Sequence, residues 1–231
     1  MDKNELAKAF LDLWDLVTRL RGPGGCPWDA RQSEDTIKTY LIEEAYEALD
    51  AVDRNDPEDL CHELGDLLFQ ILFLAAISEE KGHFDLARLI KEITRKMIHR
   101  HPHVFGDAKA ADAEEVAENW ERIKRRERGL SRRSSKLMES VPSNLPALLR
   151  AHRLMERAAR LRTDAPDMWV RVQDAYRKLA EASAGGDGSS ISREIGDLLI
   201  ALAGLAKQRG LNAEHVMREA NERFIEGFRE E

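Results

Sequence analysis

Apolar residues recur along this chain at helical spacing, and the strict alternation of half-buried strands is nearly absent, so an all-α protein is expected. A first helix is predicted over roughly residues 4–21, broken by Gly22-Pro23-Gly24-Gly25-Cys26-Pro27, which must be a loop. Ser33 or Asp35 can cap a second helix that runs to about Asp53. Asn55-Asp56-Pro57 makes a turn, with Pro57 at the first position of a third helix that runs to about Lys81, where Gly82 stops it. Further helices are predicted over about 84–99, ended by Pro102, and over 112–127. In the third helix Leu67 to Ile77 is apolar almost all round, so this stretch should be buried. It is far shorter than the roughly 20 apolar residues of a membrane span.

Two short acidic motifs interrupt this pattern: Glu43-Glu44-Ala45-Tyr46-Glu47 and Glu63-Leu64-Gly65-Asp66. On a helical wheel of about 100° per residue, Glu43, Glu44 and Glu47 form one compact patch. Leu41, Ala45, Ala48, Leu49 and Val52 cover the other side. Glu63 and Asp66 are an i, i+3 pair and share a face. An acidic stripe opposite an apolar one is by itself an ordinary solvated face. Carboxylates at the mouth of a buried helix are different, because they are costly there unless something compensates them, and a cation is the obvious compensation. The short turn between the two helices makes them antiparallel neighbours with the two acidic sets at comparable heights. Together they offer an oxygen-only pocket suited to Mg²⁺, and Mg²⁺ in a helical protein points to phosphate chemistry.

Composition narrows the partners. The chain has 231 residues, enough for one large or two small domains, with 34% charged and 42% hydrophobic residues. A net charge of −7 disfavours nucleic acid or an anionic membrane as the main partner. The segment Met1-Asp2-Lys3-Asn4-Glu5 lacks the basic start and apolar core of a signal peptide, so a cytoplasmic protein is expected, with Cys26 and Cys61 as free thiols. His99, His101 and His103 alternate around Pro102, yet no Cys or further His completes a zinc set. A di-iron carboxylate bundle needs a repeated Glu-x-x-His. The nearest match, Glu80-Lys81-Gly82-His83, does not recur.

The second half repeats the first. Arg122 to Lys136 is strongly basic without interleaved aromatics and reads as a helix end followed by a linker. After Pro146, Glu194-Ile195-Gly196-Asp197-Leu198-Leu199-Ile200 mirrors Glu63 to Phe69, Gly210 mirrors Gly82, and Arg223 mirrors Lys96. The expected organisation is therefore an N-terminal domain over 1–128, a basic linker over 129–145 and a C-terminal repeat over 146–231. The place of the first acidic motif now reads Arg177-Lys178-Leu179-Ala180-Glu181, and Arg177 and Lys178 would repel Mg²⁺. A degenerate second site is expected.

Four blocks occur in order: Gly25-Cys26-Pro27-Trp28-Asp29, Glu43 to Glu47, Glu63-Leu64-Gly65-Asp66-Leu67-Leu68-Phe69-Gln70, and Arg100-His101-Pro102-His103-Val104-Phe105-Gly106. In these the chain resembles the MazG family of nucleoside triphosphate pyrophosphohydrolases, within the all-α NTP pyrophosphatase superfamily. The resemblance implies two tandem MazG-like helical bundle units and the reaction NTP + H₂O → NMP + pyrophosphate, with Mg²⁺ as cofactor and Mn²⁺ as a substitute. It implies metal ligands at Glu44, Glu47, Glu63 and Asp66, with Glu43 as a water-orienting neighbour. Catalysis would rest on Glu43 and Glu47, and Lys96 and Arg100 would contact the triphosphate. In the second unit Glu181, Glu194, Asp197 and Arg223 survive, while Gly227 stands where the family has arginine.

Other readings stay open at this point. Lys96 and Arg100 are i, i+4 and could be an exposed stripe. Trp28 could stack on a nucleobase or sit in the core. No base-reading group is identifiable, which suggests loose base specificity. A nucleotide-sensing or protein-binding module without turnover is the alternative function. The long apolar run also predicts a homodimer, with the third helix at or near the interface.

Overall fold

The computed structural model describes residues 2–127, 135–161 and 167–228. Among the described residues every regular element is helical. The helices are α1 (Lys3–Arg21), α2 (Glu34–Asp53), α3 (Pro57–Glu80), α4 (Leu86–Arg100), α5 (Pro102–Phe105), α6 (Ala113–Glu127), α7 (Ser135–Glu139), α8 (Ala147–Leu161), α9 (Met168–Gly185), α10 (Gly188–Gln208) and α11 (Ala213–Gly227). A single 3₁₀ turn, Asp29–Arg31, precedes α2. The chain divides into two compact units, Met1–Val116 and Ala117–Glu231, and the division falls inside α6. Of the basic stretch around the expected linker, residues 128–134 lie outside the described residues, and the short helix α7 follows them.

Local chemistry sets the helix ends. Ser33 rather than Asp35 caps α2, in a reciprocal capping box with Thr36. Asp56 caps α3 by accepting from the Glu58 and Asp59 amides, with Pro57 at the first helical position. Gly82, at φ 69°, takes the left-handed conformation that ends α3. Gly25 has a different reason to be glycine: a Cβ there would lie 2.2 Å from the Arg19 carbonyl oxygen, so the loop that presents Trp28 can press against the end of α1.

In the first unit α3 is the central element and packs on α2, α1 and α4. Its core holds Val17, Ile37, Leu72, Phe73, Ala75, Ala76, Ile77 and Leu86. The expectation that the whole of 67–77 is buried is met only in its second half. Leu68 and Ile71 remain 37% and 39% exposed, because α1, α2 and α4 leave that face of α3 uncovered. On α2, Ala48 and Ala51 are buried while Leu49 and Val52, expected on the covered side, stand in the open. By length and composition α3 could cross a membrane. Yet its N-terminal half carries Glu58, Asp59, Glu63 and Asp66, and its C-terminal half is protein core, the pattern of a buried central helix.

An ion pair locks α1 to the end of α3. The Arg21 guanidinium gives two 2.7 Å hydrogen bonds to Glu80, donates to the Asp29 carbonyl at 2.7 Å and lies 4.9 Å from the Phe73 ring centre. Glu80, the first residue of the Glu-x-x-His stretch, is thereby a structural partner. The Arg21 hydrogen bond holds its carboxyl below the usual glutamate range, with the Arg21 charge adding and partial burial opposing. A depressed carboxylate contributes stability above its unfolded pKa and loses it as pH falls through the folded value. Because Glu80 is half exposed, solvent screening limits the pair to about 1 kcal/mol. Glu80→Gln is therefore expected to lower stability by about that amount at neutral pH. The difference from wild type should vanish in acid, as read by urea melts across pH.

In the second unit α10 takes the central place and packs on α9, α8 and α11. Asp187 caps α10 as Asp56 caps α3, and Glu194 follows its cap at the same distance as Glu63. Asn212 caps α11 as Asp85 caps α4, which puts Arg223 in register with Lys96 and Gly227 with Arg100.

Candidate active site

The antiparallel pairing of α2 with α3 brings carboxylates from both acidic motifs together. Glu44, Glu63 and Asp66 place one oxygen each within 4.8 Å of one another, the group of metal-type ligands found among the described residues. Like charges at this spacing oppose one another. Burial raises the Glu44 carboxyl above its usual range, the Asp66 charge adds, the Gln70 hydrogen bond opposes, and Glu47 contributes further. Glu63 is raised by desolvation, then by Glu47, Asp59 and Asp66, with His62 opposing weakly. Glu47 thus stands outside the trio but close enough to act on two of its members. Glu43, like Glu47, is exposed on α2.

Gln70 is the residue that motif reasoning quoted without giving it a role. It lies one turn beyond Asp66 on the same face of α3, and its Nε2 donates to Glu44 at 3.4 Å. Its Oε1 is buried with no hydrogen-bond partner, an acceptor left beside three carboxylates. Raised carboxyls and a buried, unused amide oxygen suit a hard cation. The i, i+3, i+7 spacing of Glu63, Asp66 and Gln70 was the signal available in sequence.

The remaining candidates lie on other elements. Lys96, exposed, and Arg100, half-buried, sit on α4, which packs on α3 and α5. The groups that shift Glu44 and Glu63 come from α2 and α3 alone. Trp28 is 57% exposed, so the core-tryptophan reading is set aside. Its ring stands 6.3 Å from that of Tyr40 at a tilt of 55°. His101 and His103 face each other with ring centres 5.7 Å apart and join no metal-type group among the described residues.

At the matching place in the second unit the charges cancel internally. Arg177 pairs with Asp174 and with Glu181 at 2.8 Å, and Lys178 reaches Asp174 at 2.8 Å. The Asp174 pairing raises the Lys178 amine, and the Glu194 charge adds. Glu194 is buried, with one oxygen accepting from Arg193 at 2.9 Å and the other, Oε2, unpartnered. Asp197 and Arg223 are exposed. Glu181, Glu194 and Asp197 do not gather as Glu44, Glu63 and Asp66 do.

The MazG nucleotide pyrophosphohydrolase domain matches residues 32–105, which hold the acidic trio and Gln70. The nucleoside triphosphate pyrophosphohydrolase of Escherichia coli K12 is 41% identical over 224 residues, covering 94% of this chain and 85% of that protein. The chain belongs to the MazG family. The nucleoside triphosphate pyrophosphohydrolase/pyrophosphatase MazG of Thermotoga maritima is 35% identical over 223 residues, covering 95% of this chain and 84% of its own length. Among solved structures, the MazG-related protein from Thermotoga maritima matches with a TM-score of 0.43 and 32% identity, over 49% of this chain and 97% of that one. Both relatives align over more than nine-tenths of this chain, and so across its two units.

Proposed function

We propose that this chain is a Mg²⁺-dependent nucleoside triphosphate pyrophosphohydrolase that cuts the α–β bond with loose base specificity, using the first unit. The carrying observation is the convergence of Glu44, Glu63 and Asp66 beside the unused Gln70 oxygen, in a chain of the MazG family. Those acids, with Glu47, would hold Mg²⁺ or Mn²⁺. When bound, the ion supplies charge that screens the substrate's phosphates beside an acidic pocket. Glu43 or Glu47 orients the attacking water and draws off its proton. The water oxygen bonds to the α-phosphorus as the α–β bridging bond breaks, releasing NMP and pyrophosphate. Lys96 and Arg100 bind the pyrophosphate half and offset the charge that grows on it. Exposed Trp28 covers the base without reading its edges.

The assembly we infer is a cytoplasmic homodimer. Ile42, Tyr46 and Leu49 on α2 and Leu64, Leu68 and Ile71 on α3 form helical stripes that this chain leaves uncovered. A second copy of the first unit would bury them. Light scattering should give two chains per particle, and Leu64→Asp with Leu68→Asp should give one. A monomeric wild type would remove the dimer. The second unit is read as a degenerate copy, its cations occupying the metal's place.

Product analysis tests the reaction. ATP, GTP, CTP, UTP, dUTP and dITP, each incubated with Mg²⁺ and enzyme, should yield monophosphate and pyrophosphate by anion-exchange chromatography, and Glu47→Gln should yield little. Diphosphate and phosphate would overturn the bond assignment. A folded protein that binds Mg²⁺ without turnover would favour the nucleotide-sensing module.

A further inference from the structure

The helix caps allow the interiors of the two units to be compared position by position. Ser33 and Asp167 cap α2 and α9, and Asp56 and Asp187 cap α3 and α10. Counted from these caps, Ile37, Phe73 and Ala76 correspond to Arg171, Gly204 and Lys207. In the first unit all three are core, 2%, 1% and 4% exposed. In the second unit an aromatic ring has become a hydrogen atom and two apolar side chains have become cations.

A cavity of about 440 Å³ opens where those residues would have packed. Met138, Met155 and Met168, from α7, α8 and α9, line it together with Gly204, Arg171 and Lys207. Neither Arg171 nor Lys207 forms an ion pair with a described residue. The backbone around the opening is braced, since Gln208 Oε1 accepts from the Met168 amide at 3.1 Å. Burial holds the nearby His152 imidazole below the usual histidine range, and the Arg153 and Lys207 charges add to this, with Glu156 opposing.

We propose that this cavity is a binding site for a small organic anion with an apolar body. Its volume lies in the range of small-molecule pockets, roughly 300–1,000 Å³. Methionines are adaptable, polarisable walls for a ring or an acyl chain. Arg171 and Lys207 stand at the edge where a phosphate, sulfonate or carboxylate would be met. A merely loosened core would lose volume without acquiring two cations.

Gly204 provides the decisive variant. A Cβ there would meet Met168 Cε at 2.3 Å and Met155 Sδ at 3.2 Å, the ends of flexible side chains that can turn aside into the cavity. Gly204→Phe therefore restores the first unit's residue and fills the space. The experiment uses the full chain with ¹³C-methyl methionine and anilinonaphthalene sulfonate as the probe. The Met138, Met155 and Met168 methyl signals should shift saturably at one probe per chain, while Met97 and Met217 stay. Arg171→Met and Lys207→Met should each weaken binding about tenfold, the loss of one charge-assisted contact. Gly204→Phe should abolish the shifts. If Gly204→Phe does not fold by circular dichroism, the two cation variants decide. Unmoved lining methyls, equal shifts at Met97 and Met217, or wild-type affinity in the variants would overturn the site. Displacement of the probe by AMP would identify a nucleotide anion, and displacement by octanoate an acyl anion. Displacement by neither would overturn it as a ligand site.

Discussion

Glu63→Gln is expected to lower kcat/KM for nucleoside triphosphates by about two to three orders of magnitude, the usual loss when one preorganised charge-stabilising group is removed. The same change should not destabilise the metal-free protein. In the folded state Glu63 is raised by desolvation and by Glu47, Asp59 and Asp66, and Glu44 by burial and by Asp66. A carboxyl whose folded pKa is raised loses stability as pH climbs from its unfolded value through the folded one, because the folded chain then holds a charge it disfavours. At neutral pH that strain is fully present, and glutamine removes it. Metal-free Glu63→Gln should therefore melt at or above the wild-type temperature. Added Mg²⁺ should raise the wild-type midpoint through preferential binding to the folded state and raise the variant's less. Calorimetry with and without Mg²⁺, beside the product assay, reads both. Wild-type turnover, or a lower metal-free midpoint, would sink the assignment.

Phe73→Ala should cost the first unit about 3–5 kcal/mol, the range for truncating a fully buried aromatic. Phe73 is 1% exposed, stands 5.7 Å from the Phe69 ring and carries the Arg21 guanidinium on its face. Domains are stable by only about 5–15 kcal/mol, so this is a large part of the whole. Thermal unfolding should show the first unit melting well below wild type, with activity lost in parallel because α2 and α3 hold the acidic trio. At low temperature, where the variant is folded, KM should stay near wild type. A changed KM with an unchanged midpoint would place Phe73 in the site instead of the core. The matching position in the second unit is glycine, so that unit must draw its stability from other contacts, among them buried Leu137 and Val141, while the buried members of its core cluster are the small Ala151, Ala203 and Ala213.

Much of this was legible in the residues. Both central helices begin where an aspartate can accept from the next free amides, and the first ends where a glycine can turn left-handed. The spacing of Glu63 and Asp66 and the compact patch of Glu43, Glu44 and Glu47 are also local facts. They suffice to nominate a cation pocket and to match the MazG pattern. The loss of acids at Arg177 and Lys178 could likewise be read directly.

Other features needed the packed chain. Glu44 joins Glu63 and Asp66 within 4.8 Å, because the rotation of α2 against α3 decides which side of the acidic patch faces inward. Leu49, Val52, Leu68 and Ile71 read as covered on their own helices, yet they stay 37–53% exposed. Gly204 stands in the register of Phe73, and only the packed helices show how much volume is missing around it. The sequence by itself determined the helices, their caps and the grouping of acids on faces, since these depend on interactions between residues up to about four apart. Only the tertiary structure decided which carboxylates share a site, which apolar stripes stay bare and where the second unit is hollow. Those outcomes depend on how helices far apart in the chain rotate and fill the space between them.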